Sequence, residues 1–289
     1  MSKIISLIII AALLTAVSVT PLGAVTLYKD GDYTYADIDD RYVALYDYEG
    51  SSSTLVVPDM YNRRYVRSVY DYAFENNTKI TGLDFSETTR LNAIGNYSFA
   101  GCTRLSGKLV LPGYINSLGH SAFQGCTSLS EVEINCGARD IPIQLFNRCT
   151  DLETVYLSIY TESIGSLAFA NCPKLRDVYL PNNVLSISNS AFLNSGNVVF
   201  HCYFGSYAHQ YAVDNKIPRV FLDDYQLGDA NLDGRIDIRD VTHIQRYQAE
   251  YIEFNELEYQ MADVDRNGRV KIFDATKLQM YVAEIITEF

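Results

Sequence analysis

The chain has no tryptophan and only four histidines among its 289 residues. Tryptophan is a favoured ring for stacking on sugars, so its absence tilts any recognition surface toward protein contacts. None of His120, His201, His209 and His243 sits in a nucleophile-elbow or zinc-ligand pattern. They read as solvated surface residues, and no pair of carboxylates stands apart as an acid–base couple. An enzyme is therefore not expected. Positive charge is also scarce. Lys and Arg number 23 against 35 Asp and Glu, a net charge of −12, which disfavours contact with nucleic-acid phosphates. A membrane-length apolar run is missing too. Ile4 to Val17 covers 14 residues, short of the ~20 that a helical span needs.

That run follows Lys3 and precedes Pro21-Leu-Gly-Ala24, so residues 1–24 read as a secretory leader. Leu22 is larger than the residue preferred three places before a cut. No cysteine follows the run, so a lipid anchor is not expected, and no C-terminal apolar tail or sorting motif appears. Attachment to a cell surface would then need a docking partner. The expected location is secreted and extracellular, with surface association through that partner and no membrane insertion.

Two stretches near the C-terminus carry the strongest chemistry. They run Asp229-Ala-Asn231-Leu-Asp233-Gly234-Arg235-Ile-Asp237-Ile-Arg-Asp240 and Asp263-Val-Asp265-Arg-Asn267-Gly268-Arg269-Val-Lys271-Ile-Phe-Asp274, 34 residues apart. Each places oxygen side chains at loop positions 1, 3, 5 and 12 and glycine at 6, the pattern of a calcium loop. Calcium takes six to eight oxygens from a flexible cage, and the glycine permits the sharp turn. The expected ligands are Asp229, Asn231, Asp233, the Arg235 carbonyl, Asp237 and Asp240 in the first loop. In the second they are Asp263, Asp265, Asn267, the Arg269 carbonyl and Asp274. Position 9 of the second loop is Lys271, which cannot ligate a cation, so the first site is expected to bind more tightly. The alternative is a second loop that serves structure alone. Residues 222–289 hold much of the acidity, with 15 acids against 7 Lys and Arg.

The duplication extends past the loops: Thr242/Thr276, Gln245/Gln279, Tyr247/Tyr281, Ala249/Ala283, Glu250/Glu284 and Ile252/Ile286 are identical at the same offset. No entering helix is read before the loops, so the repeated unit is a loop followed by a helix. Residues 222–289 thereby resemble a type I dockerin, the module that plugs cargo into cohesin domains of a cellulosome scaffoldin. The resemblance points to loop positions 10 and 11 for cohesin contact, here Ile238, Arg239, Ile272 and Phe273. Arg239 opposite Phe273 breaks the internal symmetry, which puts the family's binding in two orientations in doubt. On the helices, Val241, Ile244 and Tyr247 recur at helical spacing, as do Ala275, Leu278 and Tyr281. Part of each stripe must hold the module together.

A second repeat, with a period near 23, occupies residues 55–202. Its anchors are Phe74, Phe99, Phe123, Phe146, Phe169 and Phe192, with Cys102, Cys126, Cys149 and Cys172 three residues after four of them. A leucine and a short β-rich run follow, as in Leu175-Arg-Asp-Val178-Tyr-Leu180. A unit this short cannot bury its own apolar face, so copies must stack into a solenoid. The unit Ile164-Gly-Ser-Leu-Ala-Phe169-Ala-Asn-Cys172-Pro-Lys-Leu175 resembles the BspA-type leucine-rich repeat of bacterial surfaces. Residues 33–48 read as a capping hairpin, and residues 205–217 as a closing helix and turn. The expected fold class is α+β and multidomain. It comprises a leader over 1–24, a leucine-rich-repeat solenoid with parallel β-sheet over 25–221, and a small all-α calcium module over 222–289, joined by a short linker around Asp223 to Leu227.

The four periodic cysteines would stack about one strand apart, ~4.8 Å. Their side chains point the same way, so a ladder of buried thiols acting as small apolar residues is expected rather than disulfides. Cys136 and Cys202 have no place in the ladder. Along each strand the residue between two apolar ones faces outward, which aligns Asp84, Val110, Glu133, Tyr156 and Tyr179, with Gly82, Lys108, Glu131, Thr154 and Asp177 beside them. Glu133, Tyr156 and Tyr179 are the candidate ligand-binding residues, for a protein or a plant cell-wall glycan. The leading reading is a secreted, non-catalytic cellulosome subunit. A free-standing surface adhesin is the alternative, and an enzyme or inhibitor hidden in the repeats is a further one.

Overall fold

A computed structural model describes residues 25–222 and 226–289. Residues 1–24, on which the leader expectation falls, and Asp223–Tyr225 of the expected linker lie outside these residues. Over residues 54–202 the chain winds as a solenoid of short parallel strands, one set on each of two walls. One wall opens with the pair Thr54–Val56 and Gly82–Asp84, then continues as a six-stranded sheet. That sheet runs Ser106–Leu111, Ser128–Ile134, Thr154–Tyr156, Asp177–Tyr179, Val199–Cys202 and Arg219–Phe221. The other wall carries two-residue strands at Ala93–Ile94, Ser117–Leu118, Asp140–Ile141, Ser163–Ile164 and Ser186–Ile187. The N-terminal hairpin Tyr33–Asp37/Tyr42–Tyr48 is antiparallel, as expected, and its second strand pairs parallel with Arg64–Val69 to start the winding. Helix α1, Tyr207–Asp214, is capped by the Ser206 hydroxyl and closes the far end.

The phenylalanines explain why the units stack. Phe74, Phe99, Phe123, Phe146 and Phe169 are fully buried. From Phe74 to Phe192, successive rings lie 5.2–5.8 Å apart and within 12° of parallel. Each buried ring contributes roughly 1.5–3 kcal/mol of transfer energy. The turn that delivers each ring needs left-handed backbone two residues on either side: Tyr97 and Gly101 around Phe99, Gln144 and Arg148 around Phe146, Leu167 and Asn171 around Phe169. Glycine fills the second position where it occurs at no steric cost.

The thiols do more than fill space. Cys102, Cys126, Cys149 and Cys172 form no disulfide, and each Sγ donates to the carbonyl of the phenylalanine one turn back, at 3.2–3.3 Å. One repeat further on the position is Ser195, whose hydroxyl donates to the Phe169 carbonyl. The requirement is thus a small donor that satisfies a buried carbonyl, not sulfur as such. Cys136 and Cys202 are buried as well.

Among the described residues the C-terminal module holds three helices: α2, Ile238–Gln248; α3, Glu256–Ala262; and α4, Ile272–Val282. Its core gathers Val241, Ile244, Ala262, Val270, Ala275 and Leu278, so the inner part of each stripe is structural. Helix α3 corrects the sequence reading, because a helix does enter the second loop. Asn255 caps it, accepting from the backbone N–H of Leu257 and Glu258 while Glu258 reaches back to the Asn255 N–H. The first residue of α3, Glu256, accepts from Arg219 of the last solenoid strand and pairs with His209 of α1 at 3.3 Å.

Burial pushes the Cys102 and Cys172 thiols up to about 12, and holds Cys126 and Cys149 well above the ordinary thiol value. Below that range the reactive thiolate is scarce. The native protein at mildly alkaline pH should therefore resist iodoacetamide at these four positions, with full labelling only after denaturation. Mass spectrometry showing native alkylation there would contradict the ladder.

Candidate calcium centre and recognition surfaces

Both loops fold to the same plan. Gly234 and Gly268 take φ of +83° and +79°, and Leu232 and Arg266 two residues earlier are also left-handed. This winding turns backbone N–H groups onto the position-1 carboxylate. Asp229 accepts from Asp233 and Gly234, and Asp263 accepts from Asn267 and Gly268, at 2.7–3.1 Å. The position-12 carboxylates arrive on the first turns of α2 and α4. Asp240 and Asp274 have no exposed surface, and each accepts the N–H of position 9 at 2.8 Å. Burial raises both carboxyls above the ordinary carboxylate range, with backbone donors partly offsetting it.

The loops then diverge. In the second, carboxylate oxygens of Asp263, Asp265 and Asp274 lie within 4.8 Å of one another. The Asp274 Oδ1 atom is buried without a hydrogen-bond partner. A buried, unpartnered carboxylate oxygen is costly unless a cation answers it, and an all-oxygen donor set suits calcium. The residues present therefore fit the ion. In the first loop, the equivalent atom Asp240 Oδ1 accepts from Asn231 at 3.1 Å. Arg239 there grips Asp237 through Nε and Nη2, at 2.6–3.1 Å, and reaches Asp233 through Nη1 at 2.8 Å. This guanidinium lowers the Asp237 carboxyl to about 2. Asn231 completes the turn by accepting from Asp233, and Arg235 and Arg269 occupy position 7 in their loops. Each loop thus also carries a cation where the other copy has none, Arg239 in the first and Lys271 in the second.

Immediately beside the buried position-12 residues, the chain exposes apolar side chains. Ile238, Ile272 and Phe273 are 53%, 60% and 59% accessible, whereas the next helical turn inward is buried. The expected docking residues are therefore surface residues rather than core.

On the solenoid, strand register aligns Val110, Glu133, Tyr156, Tyr179 and His201 in one outward row. Asp84 and Gly82 do not join it, contrary to expectation. Their strand pairs only with Thr54–Val56, because the longer spacing between Asp84 and Val110 breaks the sheet. His201 was not expected in the row. It stacks on Tyr179 at 4.2 Å, as Tyr179 stacks on Tyr156 at 4.5 Å. The view of the histidines as solvated also fails for three of them. His201 pairs with Asp177 at 2.7 Å, His209 with Glu256, and His243 with Glu258 at 3.2 Å.

Comparison with known proteins accords with both halves. The BspA type leucine rich repeat region matches residues 67–199 in six copies, and the dockerin type I domain matches residues 227–283. The chain joins BspA-type leucine-rich repeats to a type I dockerin. Among solved structures, a leucine-rich repeat protein of T. pallidum is 22% identical. The match covers 66% of this chain and 95% of that one, with a TM-score of 0.51. A leucine-rich repeat protein of Eubacterium ventriosum is 19% identical over 56% of this chain and 50% of that one, TM-score 0.46. The first likeness supports the fold alone. No curated protein matches the chain. No helix among the described residues is long and apolar enough to cross a membrane.

Two substitutions test the internal cations of the dockerin loops. Lys271→Asp should tighten the second loop for calcium by about tenfold, since a ligand replaces a repelling charge. Arg239→Ala should tighten the first by freeing Asp233 and Asp237. Titration calorimetry showing neither loop altered would remove these residues from any role in metal affinity.

Proposed function

We propose that this chain is a secreted, non-catalytic subunit that a cohesin domain of a scaffoldin captures through the dockerin, while the leucine-rich repeats recognise a separate ligand. The supporting observation is the junction at the end of the second loop. Buried Asp274, at the converging carboxylates, lies next in sequence to exposed Ile272 and Phe273. Calcium supplies positive charge that the carboxylates and the Arg235 and Arg269 carbonyls hold in common. The ligands in the two loops would be Asp229, Asn231, Asp233, Asp237 and Asp240, then Asp263, Asp265, Asn267 and Asp274. Asp240 and Asp274 already hold the position-9 N–H at the start of α2 and α4, and a bound calcium ion would neutralise these buried carboxylates beside Ile238, Arg239, Ile272 and Phe273. Exposed apolar groups set on a rigid frame bind with less ordering cost.

Glu133, Tyr156 and Tyr179 form the proposed contact residues of the repeat face, for a protein or plant cell-wall glycan. Location outside the cell follows from the leader reading of residues 1–24, with surface association through cohesin. A second reading gains support from the Glu256 contacts to Arg219 and His209: a free-standing adhesin whose calcium module closes the solenoid.

Capture on immobilised cohesins separates the two. The subunit reading expects capture that EDTA abolishes and that Ile272→Asp with Phe273→Asp weakens at least about tenfold, ~1.4 kcal/mol. The adhesin reading expects no capture, together with a drop in solenoid melting temperature on calcium removal. Cohesins of several types that all ignore the calcium-loaded chain would overturn the first reading.

A further inference from the structure

The repeat face does not offer what a sugar platform needs. A pyranose stacks on an open aromatic face, and here those faces are taken. Tyr179 lies between Tyr156 and His201, at 4.5 and 4.2 Å and within 16° of parallel. On its other side Tyr156 meets the Lys108 ammonium, 5.9 Å from the ring centre. What remains outward are ring edges and phenolic oxygens, which accept hydrogen bonds.

The charge around them has one prevailing sign. Glu131 and Asp177 share the neighbouring outward row with Lys108, and Glu133 sits next to Tyr156 in the aromatic row. Lys108 is shared between Glu131 at 2.9 Å and Glu133 at 2.6 Å, so it balances one of them. Where the sheet breaks, a groove of about 430 Å³ opens between the strand carrying Asp84 and the strand carrying Lys108. Its apolar lining includes Leu83, Val110 and Pro112, and Val110 is exposed. An apolar floor with the Asp84 carboxylate on one wall, and Lys108 on the other drawn toward Glu131 and Glu133, matches a side chain with a hydrocarbon stem and a planar cationic head.

We infer that the sheet face binds a protein partner through arginine side chains, one stem lying in the groove beside Val110 and the guanidinium groups meeting Asp84, Glu133 and Asp177. This rests on the reading of the sheet as the recognition face and names its partner chemistry. Guanidinium forks bind carboxylates in a bidentate way, and the tyrosine edges supply further acceptors. His201 takes part by holding Asp177 through Nε2 and by closing the ring stack.

The test uses the full, calcium-loaded chain and fluorescence anisotropy with three labelled probes: a short arginine-rich peptide, its glutamate-rich counterpart, and a xylo-oligosaccharide. The arginine peptide should bind, and weaken as salt rises. Glu133→Gln with Asp177→Asn should weaken it at least about tenfold, while Glu250→Gln with Glu284→Gln on the dockerin changes nothing. Intact cohesin capture and an unchanged melting curve certify that the variants fold. Equal losses in both pairs would reduce the effect to the overall negative charge and overturn the inference. Oligosaccharide binding that Tyr156→Ala with Tyr179→Ala abolishes would overturn the arginine partner yet keep the face as a recognition surface. No probe responding to any face variant would overturn both.

Discussion

In the solenoid, every repeated residue meets its own copy one strand away, and most of the architecture follows from that parallel register. A residue type is selected at each position for how well it packs against itself. Phenylalanine satisfies this with offset parallel rings, and the thiol does so by bonding to the carbonyl of the turn before. Tyrosine does it on the outer face, at the cost of closing its ring faces to a ligand. The same rule makes like charges poor neighbours along a row. The outward acids accordingly alternate with Lys108, Thr154 and the aromatic rings instead of forming an unbroken file.

The dockerin uses duplication differently. Its two copies do not stack; they face one another through a shared apolar core, and each keeps its acids in a loop. Carboxylates that would repel in a bare protein are brought together by backbone N–H groups of the left-handed turn. The copies have nevertheless separated chemically. Arg239 occupies the place that Phe273 holds in the other copy, and Lys271 the place of Asp237. The first copy thus sets Arg239 beside exposed Ile238, and the second sets Phe273 beside exposed Ile272 and Lys271, so the two copies present different surfaces.

Features that recur at a fixed interval were legible in the sequence: the phenylalanine anchors, the four thiols, the paired loops and the aligned Glu133, Tyr156 and Tyr179. Features that depend on a change of interval were not. The longer step from Asp84 to Val110 splits the sheet, and the shorter step from Tyr179 to His201 hides the histidine's place in the row. Helix α3 escaped because it has no counterpart among the described residues before the first loop, although Asn255 three residues ahead of Glu258 is a readable capping signal. The thiol's role as donor needed Ser195, which sits where the next cysteine would fall and shows what the position requires. The grip of Arg239 on Asp233 and Asp237 in the first loop was also beyond the sequence, since it depends on where the guanidinium turns.

The last strand of the sheet, Arg219–Phe221, is an edge, and an unprotected edge is a template for pairing with another chain. Its arginine is held by Glu256, a residue of the next module, with His209 beside it. A second solenoid approaching this edge would therefore meet the Arg219–Glu256 ion pair, and the start of α3 beside it, before it could add a strand.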